Sequence, residues 1–142
     1  MIGLDFNFID TSKLVTKAAD DASFKNVAHG AASIRNTAID SIKPGDGPSQ
    51  PGTPPHTQTA GTTTKGKPKR GNLQRAIVFA VDQSKAEAVI GPRESVIGDA
   101  GAAHEHGGEL FGDEYPERPY MAPSLDQNTT RFGDSFAGSI GS

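Results

Sequence analysis

Three groups of residues in this chain have the types and spacing to do chemistry. The first is His104-Glu105-His106, which suggests a metal site. On a helix, two histidines at i and i+2 point roughly 200° apart, whereas the helical zinc-hydrolase pattern needs them at i and i+4 on one face. On a strand they would share a face, but no third ligand stands at a recognisable spacing, and only the fold could bring in His56 or Glu109. The expectation is surface or interface histidines and no metal. The second group is the carboxylate pairs, Glu105 with Glu109 and Asp113 with Glu114. Acid–base work needs such groups in a cleft; without one they read as solvated charge. The third is the basic run Lys65, Lys67, Lys69 and Arg70. Clustered cations on a flexible arm displace counterions from DNA phosphates. No aromatic residue interrupts this run, so it lacks stacking platforms for single strands. Solvation, or docking on an acidic neighbour, is the favoured reading, with DNA contact the second. The chain has no nucleophile elbow, phosphate loop or dinucleotide fingerprint. No catalytic residue and no cofactor is therefore expected.

The elements that must position these groups follow from pattern. Asp10-Thr11-Ser12 offers a helix cap. Leu14, Ala18, Ala22, Val27, Ala31, Ile34, Ala38 and Ile42 then recur at steps of three to five, which predicts one long helix from about Ser12 to about Ile42. Its alanines allow close approach of another element, and Gly30 weakens its middle by up to ~1 kcal/mol. Met1 to Phe8 alternates apolar and polar residues and reads as a strand or an arm. Pro44 ends the helix. Residues 43–71 hold six Pro, six Gly and six Thr but no Val, Leu, Ile, Met or aromatic residue. Such a stretch is expected to be extended or mobile and to bury no core. Its five cations stand against Asp46 alone, a balance of +4 that leaves −7 for the rest of a chain whose net charge is −3.

Ala76 to Val81 is a continuous apolar run, read as a strand covered on both faces. Asp82 to Lys85 turns it, and Ala86 to Ile90 returns as the second strand of a hairpin. Ala100 to His106 suits a short helix capped by glycine, and Glu109 to Glu117 an acidic loop. Arg118 to Pro123 reads as extended. A last helix opens at Pro123 or Ser124, with Leu125, Thr129, Phe132, Phe136 and Ile140 on one face. The 142 residues make one α+β domain: a long N-terminal helix, a small antiparallel sheet built on a hairpin, a C-terminal helix and one long extended loop. Hydrophobic residues are 34 % of the chain and there is no Trp, so the core is thin, and neighbours in an assembly are expected to add stability. There is no Cys, which excludes disulfides and thiolate metal sites. The N-terminus lacks a signal-peptide pattern and no apolar run is long enough to span a membrane; a soluble protein made in the cytoplasm is expected.

Four segments in order carry a resemblance. They are Pro51-Gly52-Thr53-Pro54-Pro55-His56-Thr57-Gln58-Thr59, Gly71-Asn72-Leu73-Gln74-Arg75-Ala76-Ile77, Ala102-Ala103-His104-Glu105-His106-Gly107-Gly108 and Arg118-Pro119-Tyr120-Met121-Ala122-Pro123-Ser124-Leu125. Together they resemble the tail-component, or virion-morphogenesis, proteins of tailed bacteriophages. The chain departs from that pattern in its long basic linker, in His106, and in the acidic segment before Arg118. The resemblance implies a structural virion protein of the phage neck and no enzyme. It would be a tail terminator or tail-completion ring, commonly a hexamer, made in a bacterial host and carried in the virion. The implied partners are further copies of itself, the tail tube protein and a neck connector or portal-side ring. Genomic DNA would pass through the lumen without sequence recognition, and an acidic lumen would let phosphates slide. A head–tail adaptor or head-closure ring is the nearest alternative. A DNA-binding accessory protein using the basic arm is more distant, and a metal hydrolase on His104 and His106 is the least favoured. Subunit or partner contacts are expected at Pro54, Pro55 and His56, at Lys65, Lys67, Lys69 and Arg70, at Ile77 and Phe79 of the strand, and at His104, His106, Arg118 and Tyr120.

Overall fold

The computed structural model of the chain describes residues 2–57, 63–67 and 70–138, with the backbone alone for residues 2–15. Lys69 and Ile140 lie outside the described residues. The architecture is α+β, in the order α1 (Ile2–Ser41), α2 (Asn72–Ala76), β1 (Ile77–Asp82), β2 (Glu87–Pro92), α3 (Glu94–Ile97), α4 (Ala100–His106), β3 (Gly108–Leu110), β4 (Asp113–Tyr115) and α5 (Met121–Ala137).

Helix α1 spans 40 residues, roughly 60 Å at the rise of an α-helix. It starts well upstream of the expected cap at Ser12, so the segment to Phe8 is helical and neither strand nor arm. Once a downstream turn exists, each further residue adds one hydrogen bond, and period-two apolarity does not oppose that. Only the second half of α1 packs on the body. Val27, Ala31, Ile34, Ala38 and Ile42 are buried, while Ala18 is exposed and Ala22 half-buried. The core is Ala38, Ile39, Ile42, Leu73, Ile77 and Tyr120, with Ile90, Ile97 and Met121 at its margin.

Gln74 ties the end of α1 to the body. Its Nε2 donates to the carbonyls of Ile39 at 3.2 Å and Ile42 at 2.9 Å, at the end of the helix where carbonyls run short of intrahelical partners; that of Ile39 also accepts the Ile42 N–H at 3.3 Å. Its Oε1 accepts the Gly71 N–H at 2.9 Å. Arg35 Nε donates to the Ile77 carbonyl at 2.7 Å, joining α1 to β1.

Strands β1 and β2 form a two-stranded antiparallel sheet in which Ile77 pairs with Pro92, Phe79 with Ile90 and Val81 with Ala88. These pairs share the face turned to α1. On the other face Val78 is half-buried, Ala80 exposed and Val89 76 % exposed. The expectation that β1 is covered on both faces is thus corrected: α1 is one layer, and no second layer stands behind the hairpin among the described residues.

The acidic segment expected as a loop is instead a second, very short hairpin, β3–β4, with Glu109 opposite Glu114. The first half of the 43–71 loop is also more ordered than its composition suggested. Thr57 N–H donates to the Lys43 carbonyl at 3.0 Å, Gly45 N–H to that of Thr57 at 3.3 Å, and Gly52 N–H to that of Glu117 at 2.8 Å. Ser49, Pro55 and Thr57 are buried. Backbone hydrogen bonds and a proline ring fasten this segment, so it needs none of the aliphatic residues it lacks.

Helix α5 opens at Met121, and Pro123 falls in its first turn, where the missing N–H matters least. Its buried seam is Ser124 and Asn128, not the Leu125 and Thr129 face expected from apolar spacing. Asn128 Nδ2 donates to Thr37 Oγ1 at 2.9 Å and to the Ser124 carbonyl at 2.7 Å. Phe132 does face α1: a methyl group at Gly30 would sit 2.5 Å from its ring. Gly30 therefore marks the close approach of α5, where sequence alone shows only a weak point.

Candidate functional site

The chemistry-bearing residues around α4 meet at one place, the seam where the chain enters α5. His104 is half-buried and His106 exposed, on different sides of α4. Between them, Glu105 aims its carboxylate at the start of α5. Its Oε2 accepts the N–H groups of Tyr120 and Met121 at 2.9 Å each, and its Oε1 that of Ala122 at 2.8 Å. A carboxylate suits the positive end of a helix, whose first N–H groups have no partners of their own. The helix C-terminus of α4 is closed by Gly107 at φ +66°, a conformation glycine adopts freely.

Arg118 is buried. Its N–H donates to the His104 carbonyl at 2.6 Å and its Nε to the Ser49 carbonyl at 2.8 Å, clamping the 44–57 segment to α4. Burial, reinforced by the Arg118 charge, pushes the His104 imidazole below its ordinary pKa. Tyr120 is fully buried, and its hydroxyl donates to the Gly101 carbonyl at 3.1 Å. Burial raises its phenol well above the ordinary value, with Glu105 adding to the shift. This constellation holds together four chain segments and has the character of a structural clasp. Among the described residues no group of three His, Cys, Asp or Glu side chains is placed to hold a metal ion.

The residues expected at contacts divide clearly. Ile77 and Tyr120 are spent on the chain's own core, and Arg118 and Pro55 on its own loop, so none of the four is available as outer surface. Pro54 is half-buried; His56 is exposed, with its ring against Gly45. Lys65 and Lys67 stand on an exposed turn closed by the Thr63 carbonyl accepting the Gly66 N–H at 2.9 Å. Arg70 is exposed, and Phe79 is 38 % exposed at the rim of the sheet. His56, Lys65, Lys67, Arg70, His106 and Phe79 remain as surface.

Two surface features escaped the sequence reading. One is a groove of about 280 Å³ between α1, β2 and α5. Val27, Ala31 and Ile34 line it from α1, Ala88 and Ile90 from β2, and Leu125, Thr129 and Phe132 from α5. The other is Phe111, 93 % exposed at the tip of β3–β4. Phe111-Gly112 is not among the residue pairs that mark a two-residue hairpin turn, so the tip carries no local signal. No helix among the described residues is long and apolar enough to cross a membrane. Comparison with family models, with curated proteins and with solved structures returned no match.

Proposed function

We propose that the protein is a structural subunit of the tailed-phage neck. Copies assemble into a ring, six by resemblance, that terminates the tail tube and joins it to the head-side connector around the DNA channel. The observation that carries this reading is the unfinished body of the single chain. The hairpin β1–β2 is a sheet of only two strands whose outer face exposes Val89 and Ala80. Helix α1 backs one face of this sheet, while the other face and its unpaired edges are ready templates for a neighbour's strand.

The four segments behind the phage resemblance support a structural role for a second reason. Pro55, Gln74, Glu105, Arg118 and Tyr120 each serve packing, capping or clamping within the chain. A pattern built from such residues describes a scaffold and not a reaction. The exposed cations Lys65, Lys67 and Arg70 then serve an acidic neighbour. The test is assembly in vitro. Added to elongating tail tubes, the purified protein is expected to stop growth and to appear as an extra ring at one tube end in negative stain. Tubes that stay bare and lengthen as they do without it overturn the reading.

A further inference from the structure

Phe111 and the α1–β2–α5 groove are complementary surfaces on one chain. At 93 %, Phe111 is the most exposed large apolar side chain among the described residues. It is presented by a hairpin that is locally disfavoured. Phe111 and Gly112 have φ of +54° and +84°, a two-residue turn that asks for Asn-Gly or Asp-Gly, because bulky side chains enter the left-handed region at a cost. Behind the tip, Glu109 lies directly opposite Glu114, and like charges across a ladder oppose pairing. Asp113 adds a third exposed carboxylate beside the ring. Local choices that work against their own element are expected where a contact outside the element rewards them.

The groove offers what this tip lacks. Its lining is mainly apolar, and it runs through Gly30, Asn128 and Phe132 into a smaller hollow of about 160 Å³ lined by His29 and Arg131. Arg131 makes no ion pair among the described residues. On the opposite flank, Lys85 precedes the lining residue Ala86 and holds only a loose 4.0 Å contact with Asp82. An apolar slot with Arg131 in the adjoining hollow, and Lys85 one residue before its lining residue Ala86, matches an aromatic ring flanked by carboxylates.

We propose that Phe111 of one copy inserts into the α1–β2–α5 groove of a second copy, with Glu109 and Glu114 meeting Arg131 and Lys85. The donor and acceptor surfaces differ, so the contact is head-to-tail and closes into a ring when the rotation permits. It deepens, and rests on, the reading that copies assemble, and it names the two surfaces that meet. Two standard contacts per copy would cover roughly 1,600 Å² of each copy.

Two full-length variants test this by sedimentation. Phe111→Asn removes the ring but supplies the favoured Asn-Gly turn, so the hairpin is kept. Thr129→Phe, at an exposed groove wall, fills the slot. Wild-type protein is expected to self-associate, less at high salt. Each variant should shift the association midpoint upward by more than about tenfold, as for loss of a buried aromatic anchor. Mixing the two variants restores one contact per pair and should yield dimers and nothing larger. Variants that assemble like wild type overturn the inference and leave the ring reading standing, as does a mixture without dimers. Wild-type protein that stays monomeric at the highest attainable concentration overturns both.

Discussion

Removing the Glu105 carboxylate is the sharpest test of the clasp. Glu105→Ala leaves the N–H groups of Tyr120, Met121 and Ala122 without the acceptor they share. Loss of a helix N-cap costs about 1 kcal/mol. Here the acceptor is charged, takes three bonds and faces the positive helix end, which adds up to about 2 kcal/mol in a partly buried setting. Water recovers some bonding at Ala122, which is exposed, but little at Tyr120, which is buried. The expected loss is about 3 kcal/mol, or roughly 12 °C in melting temperature for a chain of this length. Glu105→Gln keeps one acceptor oxygen and should fall between wild type and alanine. Thermal unfolding by circular dichroism gives the magnitude. Hydrogen exchange gives the location, since amides 120–122 should lose protection before those of α1. A melting temperature within about 3 °C of wild type, or uniform loss of protection, would refute the reasoning.

Three further outcomes follow from the same framework. Gln74→Ala unties both the end of α1 and the start of α2, and should cost about 2 kcal/mol in urea unfolding, since buried groups lose their partners. Gly101→Ala should destabilise despite alanine's better helix propensity, because its methyl group would sit 2.6 Å from Pro92 Cγ and 2.9 Å from Ile97 Cδ1; a rise in melting temperature would contradict the packing described. His104 has a folded-state pKa held below its ordinary 6.5, so the unfolded chain binds the extra proton first. Stability is then full above about pH 6.5 and declines as pH falls below it; His104→Gln should flatten that part of the pH–stability profile.

The elements legible in the sequence were those with sustained periodicity or strong punctuation. Val27, Ala31, Ile34, Ala38 and Ile42 mark the buried stripe of α1 by spacing alone, and Gly107 the end of α4. The β1–β2 hairpin was legible from two β-rich runs around a turn, but its burial was not. Whether Val89 faces a second layer depends on what the rest of the chain leaves over. The three-residue strands of β3–β4 are too short for alternation to register, and Phe111-Gly112 hides the turn that Asn-Gly would announce. The seam of α5 was misread because hydropathy counts Leu125 and ignores Ser124 and Asn128. Asn128 is buried at no penalty once Thr37 and the Ser124 carbonyl take up its amide. Of the candidate site, sequence picked out Glu105 as one of a carboxylate pair and Arg118 and Tyr120 as contact residues, none of them as part of a clasp. Their clasp depends on contacts such as Arg118 with Ser49, 69 residues apart, which no local pattern encodes.

The central claim, a ring that ends the tail and joins it to the head, is tested most directly by electron microscopy of particles from a phage lacking this gene. Filled heads beside separate, overlong tubes are the expected result. Leaky or empty heads beside tails of normal length would instead move the ring to the head side as an adaptor or closure protein. Intact, infectious particles would contradict the structural account altogether.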